Sequence, residues 1–319
     1  MSAQKHPSTQ EPPTTQAPTD EASGHAAPQP PGTGPEISSL RVVELVRRHP
    51  LTAFFVWFFT VGQAFAFYPV LVPDAAGLPP QLFIVAATLV GLLLPAVVIT
   101  GLVDGRSAVR ALGHRIIPPR RGVAWYALAL VGVPLLSITL TVLLVGAPVD
   151  TSWSSTVTVL IPHLLLPLLL TFLPNNLWEE VAWMGFVQAR LQTRRGPLVA
   201  AVITGPLFAL QHIALVVGNS PVAALTVIGL LAVFAIPFRF ATAWIYNKTG
   251  NLFLVGLFHA TGNAATGGSG FQTGLLATIY PHAQIASIAH LLVFALIGIV
   301  AVLLTRGRLG MPETPNRSA

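Results

Sequence analysis

Eight stretches of this chain are long and apolar enough to cross a bilayer, and no other feature limits its fold as strongly. A membrane-crossing helix needs about 20 mostly apolar residues, because a rise of about 1.5 Å per residue must span a hydrocarbon core of about 30 Å. Runs of this kind lie at about 51–72, 81–102, 123–146, 157–178, 197–217, 221–246, 250–266 and 283–305. In lipid every backbone N–H and C=O must find its partner inside the protein, so such runs read as helices. The expected fold class is all-α, a polytopic transmembrane helical bundle of about eight spans. Composition agrees, with 53% hydrophobic and 9% charged residues against about 25% charged in a soluble domain. Too few charges exist to cover a water-facing surface.

The charges that remain are sorted along the chain. Arg41, Arg47 and Arg48 precede the first run, and Arg106, Arg110, Arg115, Arg120 and Arg121 lie between the second and third. Arg190, Arg194 and Arg195 follow the fourth, Arg239 and Lys248 lie near the turn between the sixth and seventh, and Arg306, Arg308 and Arg317 follow the eighth. The alternate loops hold only Asp74 and Asp150 as charges. Lys and Arg collect in cytoplasmic loops, so this pattern predicts an even number of spans with both termini in the cytoplasm. It also accounts for the net charge of +6 without a nucleic-acid partner, for which no basic patch with base-reading elements is present. The absence of cysteine excludes disulfides, thiolate metal sites and a cysteine nucleophile.

Residues 1–36, rich in Pro, Thr, Gln, Ala and Ser, bury too little apolar surface to order themselves and are expected to form a disordered tail. They lack the apolar core and cleavage site of a signal peptide. The transmembrane domain is expected over 37–308, with a C-terminal tail over 309–319. The bilayer is the one certain partner, and the excess of Arg over Lys suits a multi-pass protein of a bacterial cytoplasmic (inner) membrane.

Ionisable residues at membrane depth are costly and normally face a cavity or a partner. Here the acids left in hydrophobic surroundings are Glu179 and Glu180, joined by His163, His212, His259 and His290. His163 and His290 are read as interhelical hydrogen-bonding residues without chemistry, His163 being about 24 Å along a helix from Glu179. His212 stands one turn after Phe208 and His259 one turn before Asn263, each pair on one helical face. Adjacent helical residues point about 100° apart, so only one of Glu179 and Glu180 faces any given point. Counting from the basic residues, Glu179 and His259 lie about 16 Å deep and His212 about 25 Å, a set expected to open toward the cytoplasm.

These residues resemble the CPBP family of intramembrane proteases, which includes the type II CAAX prenyl endopeptidases and bacteriocin-immunity relatives. That family carries E-E-x-x-x-R, then F-x-x-x-H, then H-x-x-x-N or D. Here Glu179-Glu180 with Gly185-Phe186, Phe208 to His212, and His259 to Asn263 match in order and spacing, and T-G-N-L at 249–252 is similar as well. The resemblance covers about 157–266. It departs from the family at Met184, where the family has arginine, leaving a carboxylate without its expected cation unless Arg190 substitutes in space.

The resemblance implies an intramembrane endopeptidase acting on hydrophobic or lipidated peptides. In it Glu179 is the general base, His212 and His259 position water or donate protons, Asn263 orients an imidazole or donates to the oxyanion, and Glu180 supports. A zinc ion held by Glu179, His212 and His259 is the alternative, since two histidines and a carboxylate form a hydrolytic set. The metal-free version is preferred because the H-E-x-x-H spacing is absent. Two other functions stay open: an inactive membrane scaffold of the same fold, suggested by Met184, and a proton-coupled transporter, which would show inverted repeats.

Overall fold

A computed structural model describes residues 35–72, 77–116, 122–148, 158–268 and 272–312. The expected tail, apart from Pro35 and Glu36, lies outside these residues, as do Asp74, Asp150, Arg120, Arg121 and Arg317. The chain divides into a unit ending at Arg41 and a helical bundle from Val42 onward. The described residues are helical with no β-strand, and only an isolated bridge joins Gly268 to Thr273.

The helices are α1 (Pro35–Arg48), α2 (Pro50–Leu71), α3 (Pro80–Ile116), α4 (Val123–Val145), α5 (Thr158–Arg195), α6 (Pro197–Leu210), α7 (Pro221–Thr249), α8 (Leu252–Ala265), α9 (Leu275–Ile279) and α10 (Gln284–Thr305). Of these, α2, α3, α4, α5, α7 and α10 are long and apolar enough to cross a membrane. Large apolar side chains on their outer faces are bare, Leu143 and Leu304 being 77% exposed and Leu225 75%. Apolar surface of that extent is stable against lipid and not against water. The protein is an integral, multi-pass membrane protein.

The fifth and seventh expected spans are shorter than the sequence suggests. α6 and α8 have 14 residues each, about 21 Å, which falls short of the hydrocarbon thickness. For α8 the reason is enclosure. All but two residues of α8 are buried, as expected of a helix that is apolar all round and surrounded by protein. It packs against α4, α5, α7 and α10, so it has no bilayer to match.

The fourth span differs in the opposite direction. It is helical through to Arg195, which puts Glu179 and Glu180 in its interior. Pro162, Pro167 and Pro174 do not break it, because the helix widens to i→i+5 turns at Ile161–Leu165 and Phe172–Asn176. A wide turn absorbs the donor and the space that a proline removes from the regular ladder. A third wide stretch, Val181–Gln188, follows the two glutamates.

Within the bundle the helix ends are tied into two faces. On the face carrying the basic residues, Arg115 donates to the Tyr246 hydroxyl at 2.7 Å, Gln192 to Asn247 at 3.0 Å, and Asn247 to the carbonyl of Leu309 at 3.0 Å. On the opposite face Tyr280 donates to the carbonyl of Gly146 at 3.0 Å, and Thr278 lies 3.1 Å from Nδ1 of His163. α3 is cut by Gly105, whose φ of 83° admits glycine readily and carries the chain into the basic segment Arg106–Arg115.

Between α7 and α8 the T-G-N-L segment is a double cap. Gly250 closes α7 in the left-handed conformation, while the Asn251 side chain accepts from the Leu254 N–H and opens α8. α8 then lies close to α5 because Gly256 has no side chain: a Cβ there would stand 2.9 Å from the Leu177 Cα and 3.3 Å from the Asn176 carbonyl oxygen. Backbones of membrane helices approach through small residues in this way. Gly256→Val is expected to force the two helices apart at a cost of about 1–3 kcal/mol, seen as a lower unfolding temperature in detergent.

Candidate active site

The centre of the site is the contact of α5, the end of α6, α7 and α8. Its two glutamates, adjacent on α5, face different partners. Glu179 lines a cavity of about 610 Å³ together with His212, His259 and Asn263. Glu180 points into the packed interior and is fully buried.

Three side-chain amides hold Glu179. Asn175 donates to its Oε1 at 3.3 Å and Asn176 to its Oε2 at 3.0 Å. They lie four and three residues earlier on the helix, the spacing that places side chains on one face. Gln211 donates to Oε1 at 2.6 Å. The orientation of that amide is fixed from behind, since the indole N–H of Trp183, which can only donate, meets Gln211 Oε1 at 2.6 Å. Asn175 is in turn hydrogen-bonded to Thr88 of α3.

Glu180 is held by a cation that the sequence reading assigned elsewhere. Arg239 sits within α7, fully buried, and makes a fork-to-fork pair with Glu180 at 2.8 and 2.9 Å. The guanidinium lies 4.1 Å from the ring centroid of Phe208 and 4.7 Å from that of Phe238. A planar, weakly hydrated guanidinium suits both the carboxylate and the aromatic faces. Arg239 is therefore not a residue of the turn between the sixth and seventh spans. It supplies the cation that Met184 does not, and Met184 itself is buried among apolar neighbours. Arg190 pairs instead with Asp104 of α3, over the ring of Phe186.

His259 bridges the two carboxylates. Its Nδ1 lies 3.0 Å from Glu180 Oε1 and 3.8 Å from Glu179 Oε2. Its ring is packed edge-on against Phe238 and Phe208. Glu180, and not Asn263, orients this imidazole. Asn263 lies at the cavity wall, with its amide 3.4 Å from Asn176 Oδ1. His212 falls just past the last residue of α6, and its Nδ1 faces the carbonyl oxygen of Phe208 at 3.2 Å.

The two remaining histidines stand apart. His163 meets Thr278 and the carbonyl of Thr273 near the far face. His290 meets Thr266 at 2.6 Å and lines the same cavity as Glu179.

Asn175, Asn176, Gln211 and Arg239 are site residues that sequence reasoning missed. Each carried a signal: the asparagines precede Glu179 by one turn, Gln211 adjoins His212, and Arg239 lies inside an apolar run. A zinc reading fares poorly against the donor set. Among the described residues no three of His, Asp and Glu converge as metal ligands, and Glu179 is already committed to three amide donors. The residues present do not fit a three-ligand ion.

The fold and the cluster define a multi-pass membrane protein with a carboxylate–histidine site built in its interior. Residues 161–265 match the family described as type II CAAX prenyl endopeptidase Rce1-like, which bears out the resemblance over the segment that holds Glu179, Glu180, His212, Arg239, His259 and Asn263. No curated protein matches the chain.

Breaking a buried ion pair from one side leaves an uncompensated charge. Arg239→Met is expected to cost about 3–5 kcal/mol of stability, while Arg239→Met combined with Glu180→Met recovers much of it. Denaturant unfolding in detergent, taken as a double-mutant cycle, measures both.

Proposed function

We propose that this protein is an intramembrane endopeptidase of the CAAX-protease type that hydrolyses a peptide bond with a glutamate-activated water. The observation that carries this reading is the pairing of one carboxylate facing a cavity, Glu179, with a second, Glu180, that is spent on fixing an imidazole beside it. The Rce1-like match over the same residues supports it.

In this mechanism a water lies between Glu179 and the histidines. Nδ1 of His259 faces a carboxylate and Nδ1 of His212 a carbonyl oxygen, so in the neutral ring each Nδ1 carries the proton and each Nε2 is an acceptor. One histidine orients the water by accepting one of its two hydrogens, and the other hydrogen points to Glu179. Glu179 takes a proton as the water oxygen bonds to the substrate carbonyl carbon, and returns that proton to the amine nitrogen as the C–N bond breaks. The Asn263 amide, engaged only by a long contact to Asn176, turns to donate to the oxyanion. Glu180 and Arg239 form a neutral pair that holds His259 without adding net charge to the site.

The argument for an inactive scaffold weakens once Arg239 is seen to provide a cation for Glu180. The substrate is a hydrophobic or lipidated peptide reached within the bilayer.

Glu179→Gln keeps the shape and the amide neighbourhood but removes the base. Loss of general-base catalysis is worth about 10²–10⁴-fold, and membrane proteomes of wild-type and Glu179→Gln cells are expected to differ in the termini of the cleaved proteins. His259→Ala is expected to lose cleavage with the protein still present in the membrane. Full activity in both variants overturns the assignment. Cleavage that persists in strong chelator agrees with the metal-free route, whereas cleavage lost to chelator and restored only by zinc overturns it.

A further inference from the structure

The direction from which Glu179 is reached is written in which halves of the helices line its cavity. α2 contributes Ala66, Pro69 and Val70 near its end, and α3 contributes Pro80 and Ile84 near its start. These are the ends remote from the arginines. The exposed members of the lining are Val70, Pro80 and Leu215, all at that end of the molecule, and Leu215 is 72% exposed. The expectation of a site open toward the basic face is therefore reversed.

Toward the basic face the path is filled. Every residue of Val181–Gln188 is buried, and Phe54 of α2 packs against both Trp183 and Phe186. Beyond this layer a hollow of about 250 Å³ around Asp104 and Arg190 shares no lining residue with the Glu179 cavity.

The lining also limits what fits. It includes no Lys and no Arg, and Glu179 is its one carboxylate. A peptide whose own C-terminal carboxylate had to sit in this cavity would meet a like charge with no lysine or arginine facing it, a juxtaposition that selects against such a ligand. An uncharged apolar stretch in the interior of a longer chain meets no such obstacle.

We infer that Glu179 is reached from the face opposite the arginines, by an uncharged apolar segment in the interior of a membrane-bound polypeptide. With the arginine-rich loops in the cytoplasm, as the distribution of charge requires, that face is the non-cytoplasmic one. The substrate part of the inference rests on the peptidase reading, and the access part does not.

The chain has no cysteine, so Leu215→Cys and Arg194→Cys each place a single thiol at one face. A membrane-impermeant maleimide is expected to label Leu215→Cys in intact spheroplasts, and Arg194→Cys only in inverted membrane vesicles. The opposite pattern overturns the inference. With the purified full-length variants in proteoliposomes, a bulky maleimide at position 215 is expected to abolish cleavage of an apolar transmembrane reporter relative to unlabelled Leu215→Cys, and one at 194 to leave cleavage unchanged. Blockage from position 194 instead places the access route on the basic face. A reporter extended beyond the cleaved bond by neutral residues is expected to be cut faster than one ending in a nearby carboxylate, and the reverse order overturns the substrate class. If Glu179→Gln leaves cleavage intact, the peptidase reading fails, while the labelling pattern still decides the face.

Discussion

The ion pair between Glu180 and Arg239 is the interaction on which the rest of the site depends. Both side chains are fully buried, and neither charge has water to turn to. Each is therefore bound to the other's position, and with them α5 is bound to α7. Desolvation makes such a pair a poor source of net stability but a demanding condition on geometry. What the pair secures is placement: the same Glu180 oxygen that accepts from Arg239 also meets His259, so three helices are fixed around one carboxylate.

Around that anchor the amide side chains do for Glu179 what Arg239 does for Glu180, without a second cation. Asn175, Asn176 and Gln211 each present an N–H to it. Amide donors hold a carboxylate in place without adding a second positive charge, whereas a guanidinium would pair it outright. Two neighbouring glutamates thereby acquire separate surroundings through the chemistry of their partners, Glu180 turned into the packed interior and Glu179 turned to the cavity.

Much of this was legible in the sequence. The long apolar runs gave the all-helical membrane fold, and the register of Glu179, Phe208 to His212 and His259 to Asn263 marked the residues that meet. Three things were not. The length of α8 depends on what surrounds it, which an apolar run does not reveal. The wide turns of α5 carry it past three prolines, against the local rule. Arg239 counts among the topology-setting cations near the turn between the sixth and seventh spans, yet a cation inside an apolar run is better explained by a buried carboxylate than by a loop. The direction of the cavity was misjudged for a related reason: depth counted along a helix does not say which end of the helix is open.

The shortness of α6 bears on hydration. Hydrolysis consumes water at a depth where a bilayer has almost none. Because α6 stops at Leu210, the chain turns through His212 and the short Ile213–Val216 segment beside the cavity, and Leu215 stands there exposed. For the proposed hydrolysis, a helix that ends early beside Glu179 would shorten the path water has to travel to the site.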